Sequence, residues 1–404
     1  MRLWIRYLAG TIIGVVLGVF LPAGAGDSLV VLQNLSDLVI RLGRFLLFPI
    51  AFFSAIIAVD ELRDDRRVLS VTLRTIILSA LTIVVAAVAG LLSVVVLQPQ
   101  RVPPMVQEAF VAQPDTVGAL IRGALPYNGF RILTGSENAL GMIVVLAILI
   151  GWNLRFDREI TSPVSLVADS ANRILYRLNA FLTDWLGFLV AIPAGMIIVE
   201  LRLTEDFVLF SQFLIVVTAA ALFVGLVVYP VVLYLVSKSS RRVLGWVTGM
   251  GAPGLAALAG GDVYFAAPTL IREVKEDLGV PRRVGGVVTY LLFVWNRAGT
   301  TLVATAGFLL VVRSYTALEM GIVETVQVVI AGVFGSFLLG RVPAGGVIAL
   351  LSYLAVAYGR GMEESYLILL PVMPLLERLG AWLDVMTHGF VTNLVTDMEG
   401  LHRE

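Results

Sequence analysis

Cysteine is absent from the 404-residue chain, which excludes disulfides, thiolate metal centres and a cysteine nucleophile. Charge is scarce as well. Only 14% of the residues are Asp, Glu, Lys or Arg and 58% are hydrophobic, whereas soluble domains carry about 25% charged residues. So little charge cannot cover a water-exposed surface of this length, so the bilayer must be part of the solvent. The formal net charge is zero, which argues against a nucleic-acid partner. Enzyme signatures are missing too. No His-Glu-x-x-His run supports zincin chemistry. Ala259-Gly260-Gly261-Asp262 is reminiscent of half of an intramembrane aspartyl protease pair, but no Tyr-Asp partner stands in another span. The chain is therefore not expected to be an enzyme.

What is present is a series of apolar runs near the 20 residues or so that a membrane span requires. Eight read as spans: Leu8–Leu21, Asp37–Val59, Ile76–Leu97, Ala139–Trp152, Phe181–Val199, Phe213–Val236, Val284–Val312 and Tyr366–Val395. The first, with Ala23-Gly24-Ala25 behind it, also has the shape of a signal peptide; the many spans that follow favour a first helix. Two further runs, Val243–Leu270 and Val326–Ala357, are broken by Gly260-Gly261-Asp262 and by Gly340-Arg341-Val342-Pro343-Ala344-Gly345-Gly346. A lipid-facing helix does not carry such breaks, because the freed backbone groups find no water there.

Charge sets how these runs thread. Short loops rich in Lys and Arg stay cytoplasmic. Arg63, Arg66 and Arg67 mark one such loop, Arg155 and Arg158 a second, and Lys238, Arg241 and Arg242 a third. Each is two spans from the last. A fourth, Arg272 to Arg283, lies only one apolar run beyond the third. If both are inside, Val243–Leu270 enters the bilayer and returns; the alternative is a full span with one basic loop outside. The same counting makes Val326–Ala357 a second hairpin from the opposite face, with a turn at Val342-Pro343. The expected fold is an all-α polytopic membrane protein with eight transmembrane helices and two opposed re-entrant helical hairpins, with both termini cytoplasmic. Opposed broken helices meeting near the midplane are one way transporters build a binding site. Residues 98–138, with Pro103, Pro104, Pro114 and Pro126, read as an irregular outer loop with a short helix.

This order of elements resembles the glutamate transporter (dicarboxylate/amino acid:cation symporter) family over nearly the whole chain. Arg44-Phe-Leu-Leu-Phe-Pro-Ile-Ala-Phe-Phe-Ser54 resembles its second helix. Leu125-Pro-Tyr-Asn-Gly-Phe130 with Asn138 to Gly151 resembles its fourth. Asn296-Arg-Ala-Gly-Thr300 stands where the family has Asn-Met-Asp-Gly-Thr, and Val342-Pro-Ala-Gly-Gly346 where it has Val-Pro-Gly-Ala-Gly. Asn393 and Asp397 match its Asn-x-x-x-Asp sodium pair. The resemblance implies a homotrimeric elevator-type symporter of the bacterial cytoplasmic (inner) membrane. Residues 1–67 and 98–200 would form the scaffold. Residues 68–97 and 207–404 would form the transport domain, with hairpins at about 243–271 and 326–357. It also implies a small-molecule substrate held by Gly261, Asp262, Val263, Thr300, Val342, Pro343, Ala344, Gly345, Met386, Gly389, Phe390 and Asn393. A cation site would draw on Asn296, Arg297, Asn393 and Asp397, with sodium at Asn296, Asn393 and Asp397, or a proton, as the coupling ion. No other cofactor is expected.

The departures fall on working residues. The family's seventh-helix Asp is Ala298, and the Met before it is Arg297. Its eighth-helix clamp for an amino acid falls at Met386, Gly389 and Phe390. At about 100° per residue these share a face with Asn393 and Asp397, while Asp384 and His388 point the other way. A buried Arg297 needs a counter-charge, and Asp397 is the expected one. The guanidinium, permanently charged, would then stand where relatives hold sodium, unless it snorkels to a membrane edge. Asp262 reads as a group for a cationic substrate or a proton, or as a helix N-cap. Arg341 reads as an anion attractor or a solvated tip charge. Asp384 and His388 read as a proton relay or an interhelical hydrogen-bonding pair. Glu377 and Arg378 are expected to partner other helices. Trp152, Trp185 and Trp295 read as bilayer-edge or packing residues. A substrate-gated anion channel and a transport-dead sensor are the rival functions on the same fold.

Overall fold

The computed structural model describes residues 2–21, 26–103, 140–204, 207–316, 321–339, 342 and 344–401, and every regular element among them is helical. In chain order these are α1 (Leu3–Phe20), α2 (Gly26–Arg44), α3 (Leu47–Asp64), α4 (Val68–Leu97), α5 (Leu140–Asn153), α6 (Arg158–Leu189) and α7 (Ala191–Leu203). Then come α8 (Phe207–Phe223), a π-helical turn at Val224–Val228, α9 (Tyr229–Ser237), α10 (Ser240–Gly249), α11 (Gly251–Gly260) and α12 (Val263–Glu276). The chain continues with α13 (Arg282–Trp295), α14 (Ala298–Tyr315), α15 (Ile322–Leu338), α16 (Gly346–Tyr358), a 3-10 helix at Ser365–Val372 and α17 (Met373–Glu399). Helices are what such apolar runs must form, since each N–H and C=O then bonds within its own segment.

Among the described residues, eight helical stretches are long and apolar enough to cross a membrane: Leu3–Phe20, Leu29–Asp64, Val68–Leu97, Arg158–Leu203, Phe207–Ser237, Ser240–Gly260, Arg282–Tyr315 and Ser365–Glu399. The number matches the expectation but the membership differs. Ala139–Trp152 appears as α5, a 14-residue helix, while Ser240–Gly260 meets the length criterion. The outward side of α4 keeps Leu69, Leu73, Ile77, Leu81, Val88 and Leu92 exposed, an apolar stripe of the kind that meets lipid or another protein surface. The Pro-rich stretch from Pro104 to Asn138 lies outside the described residues, as do Arg341 and Pro343.

Three breaks shape the interior. The first separates α11 from α12. Gly261 adopts φ +62°, which closes α11 in the left-handed conformation that glycine takes without strain. Extended Asp262 then starts α12, which folds back against α11. A side chain on Gly260 would lie 2.5 Å from a Phe265 ring carbon, so only glycine lets the arms meet. The second turn joins α15 to α16 and ends at Gly345, φ +76°. The third break corrects the expectation of one continuous helix over Val284–Val312: the chain unwinds at Asn296 and Arg297 between α13 and α14.

Packing brings α1 against α6 and α7, α3 against α5 and α6, and α4, α15, α16 and α17 around α14. The contact of α1 is made by a glycine stripe. A Cβ on Gly10, Gly14 or Gly18 would lie 2.3, 2.1 and 2.5 Å from the carbonyls of Gly187, Ala191 and Gly195. Small residues at this spacing let helix backbones approach closely in a membrane, where hydrophobicity does not drive association. Gly14→Leu is therefore expected to force α1 off α7 and cost about 1–3 kcal/mol of stability. Thermal unfolding of the detergent-purified protein reads this out; an unchanged Tm would mean that the contact carries no stability.

Candidate functional site

The unwound pair Asn296-Arg297 sits at the centre of the packed helices, and both residues are buried. Unwinding frees the first N–H groups of α14 and the last carbonyls of α13. In a dry interior each needs a partner. The Asn296 side chain takes the Ala298 N–H at 3.1 Å and donates to Thr82 of α4 at 2.9 Å. Asp384 of α17 accepts the Gly299 and Thr300 N–H groups at 2.6 and 3.1 Å and the Thr300 hydroxyl at 2.7 Å. Its carboxylate is thus a helix cap supplied from another helix, at the end where the backbone dipole favours negative charge. His388, one turn further on, donates from Nε2 to the Asn296 carbonyl at 2.8 Å. The approach is close because Gly299 has no side chain: a Cβ there would lie 2.3 Å from the Gly380 carbonyl.

Arg297 projects between these groups. One terminal nitrogen is 3.6 Å from the Asp384 carboxylate. The other donates to the Val342 carbonyl, at the turn between α15 and α16, at 2.8 Å. The guanidinium carbon stands 5.9 Å from the centre of the Tyr264 ring on α12, within cation–π range. One charged side chain therefore touches both hairpin turns and the broken helix. Its Nε has no hydrogen-bond partner among the described residues.

The two hairpins are capped in the same way. Asp262 accepts the Tyr264 N–H at 2.8 Å and is ion-paired with Arg44 at the end of α2. Glu377, two turns before Asp384 on α17, accepts the Ile348 N–H at 2.9 Å in the first turn of α16. All three half-helices that begin at a break, α12, α14 and α16, thus start on one of the chain's own carboxyl groups.

The expected residues separate into two sets. Thr300, Asn296, Arg297, Asp262 and Val342 belong to this centre. Gly261 and Val263 flank Asp262, and a Cβ on Gly346 would lie 3.2 Å from the Thr300 methyl. Ala344 and Gly345 complete the α16 entry; Pro343 lies outside the described residues. Met386, Gly389 and Phe390 do not join them. A Cβ on Gly389 would lie 2.2 Å from the Met250 sulfur, and Met386 lies 3.6 Å from the Cβ position of Gly254. The Phe390 ring stacks on Tyr229 at 4.3 Å. That face packs on α11 and α9, while the face carrying Asp384 and His388 meets the break. Asn393 is buried.

The pairing of Arg297 with Asp397 is corrected. Asp384 is the carboxylate beside Arg297, and Asp397, 13 residues on, is about 20 Å further along the helix. Asp397 instead pairs with Arg242 in the third basic loop. The structure therefore does not gather Asn296 and Asp397 around one point. The interhelical role of Asp384 and His388 and the partners of Glu377 and Arg378 agree with expectation; Arg378 forms an ion pair with Glu200 of α7 at 2.8 Å. The expectation that Asp262 caps a helix holds as well. Arg44, Thr82 and Tyr264 were not legible as members. The one available signal was two carboxyl residues seven apart on an apolar helix, Glu377 and Asp384, which must share a face and find partners.

Asp384→Asn is expected to leave a buried guanidinium without its counter-charge and to cost about 3–5 kcal/mol. Adding Arg297→Met should recover part of that loss. A double-mutant cycle on thermal unfolding measures the coupling; strictly additive losses would mean that the two charges do not interact.

A search of curated proteins returns no match. Sequence-family comparison does return one, to the sodium:dicarboxylate symporter family. Because that match runs over residues 3–398, and so takes in every helix of the centre built above, the chain belongs to the sodium:dicarboxylate symporter family.

Proposed function

We propose that this protein is a secondary active transporter that moves a small polar solute, an amino acid or a carboxylate, across the bacterial cytoplasmic membrane. The mode is symport by an elevator motion in a homotrimer. In this reading α4 and α8 to α17 slide as one unit against a scaffold of α1 to α3 and α5 to α7. The hairpins α10–α12 and α15–α16 each return to the side they entered. Arg297 takes the place of part of the family's sodium machinery.

The observation that carries the reading is the position of Arg297. It lies in the unwound segment that corresponds to the family's Asn-Met-Asp-Gly-Thr run, and its guanidinium reaches Asp384, Val342 and Tyr264. A fixed positive charge there performs the electrostatic task of a bound cation. It neutralises the capping carboxylate and holds the second hairpin turn through its carbonyl. A guanidinium does not dissociate with the ion gradient, so this contact persists through the cycle. Ala298, in place of the family's aspartate, removes a ligand that sodium would require.

Uptake into proteoliposomes is expected to proceed when choline replaces sodium; complete loss would overturn the reading. Restoring the family residues gives the converse test. Arg297→Met with Ala298→Asp should make thermal stability depend on sodium, by about 1.4 kcal/mol at ten times the dissociation constant, where the parent shows no such response. The topology is tested separately in this cysteine-free chain. Leu244→Cys and Lys275→Cys, at the two ends of the first hairpin, should both react with an impermeant maleimide from the cytoplasmic side. Reaction from opposite sides would remove the hairpin.

A further inference from the structure

Several ion pairs join the two helix groups named above. Arg272 pairs with Asp184 at 3.0 Å and Arg378 with Glu200 at 2.8 Å. Arg282 meets Glu61 and Asp169, Arg283 meets Asp65, and Arg44 meets Asp262. Their carboxylates differ sharply in exposure. Asp184, Glu61, Asp169, Asp65 and Glu200 keep between 26% and 42% of their side-chain surface, whereas Asp262 keeps 1%. Separating the exposed pairs costs little, because water solvates each half. Separating Arg44 from Asp262 would leave a carboxylate dry and without its counter-ion, which is strongly unfavourable.

We infer that Asp262 is a proton-coupling site: the first hairpin can leave Arg44 only when a proton from the aqueous phase has bound the Asp262 carboxylate oxygen that the guanidinium vacates. This rests on the elevator reading. The proton is released when Asp262 meets water on the other side, so one proton crosses per slide and no bond other than O–H is made or broken.

The surroundings support a proton rather than a larger cation. One Asp262 oxygen accepts the Tyr264 N–H and the other faces Arg44. A substrate ammonium group would have to displace the guanidinium, whereas a proton needs no volume. Arg44 keeps 20% exposure, so the protein itself does not seal the pair. Close approach at this point is built in, since a Cβ on Gly43 would lie 2.4 Å from a Phe265 ring carbon.

The other groups facing Asp262 are already committed. Arg297 from the helix break is engaged with Asp384. Arg378 of α17, whose chain lies 3.1 Å from the Gly261 Cβ position, is engaged with Glu200. Tyr264 is on the same helix, and α11 has no titratable side chain. The centre thus holds the carboxyl groups of Asp262, Glu377 and Asp384 against the guanidinium groups of Arg44 and Arg297. Sliding removes Arg44 and widens that difference by one charge, which one proton restores.

The test needs no substrate. Spin labels go on Phe156→Cys and Leu244→Cys, both exposed, one in each helix group, in the full chain in nanodiscs. Electron–electron distance measurement should give one distance at pH 8 and a growing second population as the pH falls. Asp262→Asn should show both populations at every pH. Arg44→Gln should keep the pH response with its midpoint raised by at least one unit, because a carboxylate without its guanidinium takes up a proton more readily. It also serves as the check if Asp262→Asn does not fold. A parent that moves with pH and an Asp262→Asn variant with the same midpoint would overturn the role of Asp262 and leave the elevator standing. Movement in the parent that ignores pH would overturn proton coupling. A single distance under every condition, in parent and variants, would overturn this inference together with the elevator reading.

Discussion

An N–H group freed inside a bilayer has no water to turn to, and much of this architecture follows from that constraint. Three helices, α12, α14 and α16, begin in the interior. Each begins on a carboxyl group: Asp262, Asp384 and Glu377. Two of the three are contributed by one face of α17, so that helix is the ordering element. It fixes where the broken helix starts and where the second hairpin starts, and both are fixed by hydrogen bonds to charge rather than by apolar packing alone.

Charge placed for one purpose creates a second requirement. A capping carboxylate satisfies backbone dipoles but still needs a counter-charge in a poorly polarisable interior. Arg297 meets that need for Asp384, and Arg44 meets it for Asp262. The two arginines differ in what they tie. Arg297 is carried by the same group of helices as its partner. Arg44 comes from the other group, so its pair lies across the boundary that the proposed motion must open. In the proposed cycle, the same chemistry is a permanent brace in one place and a contact to be broken in the other.

The sequence made the first interior turn legible through its glycine-rich break. Gly261 and Asp262 stand at the first turn as expected. The break at Asn296-Arg297 was hidden, since neither residue ends a helix by propensity; what ends it is the pair Asp384 and His388 from 85 or more positions away. The apolar run begins only at Phe181 because Arg158–Ala180 mixes polar with apolar residues, although α6 runs through them. The sequence points Arg297 to the wrong carboxylate because spacing along α17 fixes which residues share a face but not which face meets the break. Asp397 matched the family pattern in sequence, yet its depth along the helix puts it among the arginines of a basic loop.

The glycine stripe of α1 sets a timetable. Gly10, Gly14 and Gly18 touch carbonyls of residues 187 to 195, each 177 positions further along the chain, which emerge from the ribosome about 9–35 s later at ordinary synthesis rates. Throughout that interval the first helix lies in the membrane with its smoothest, most backbone-accessible side uncovered, and what finally covers it is made only after nearly half the polypeptide has been translated.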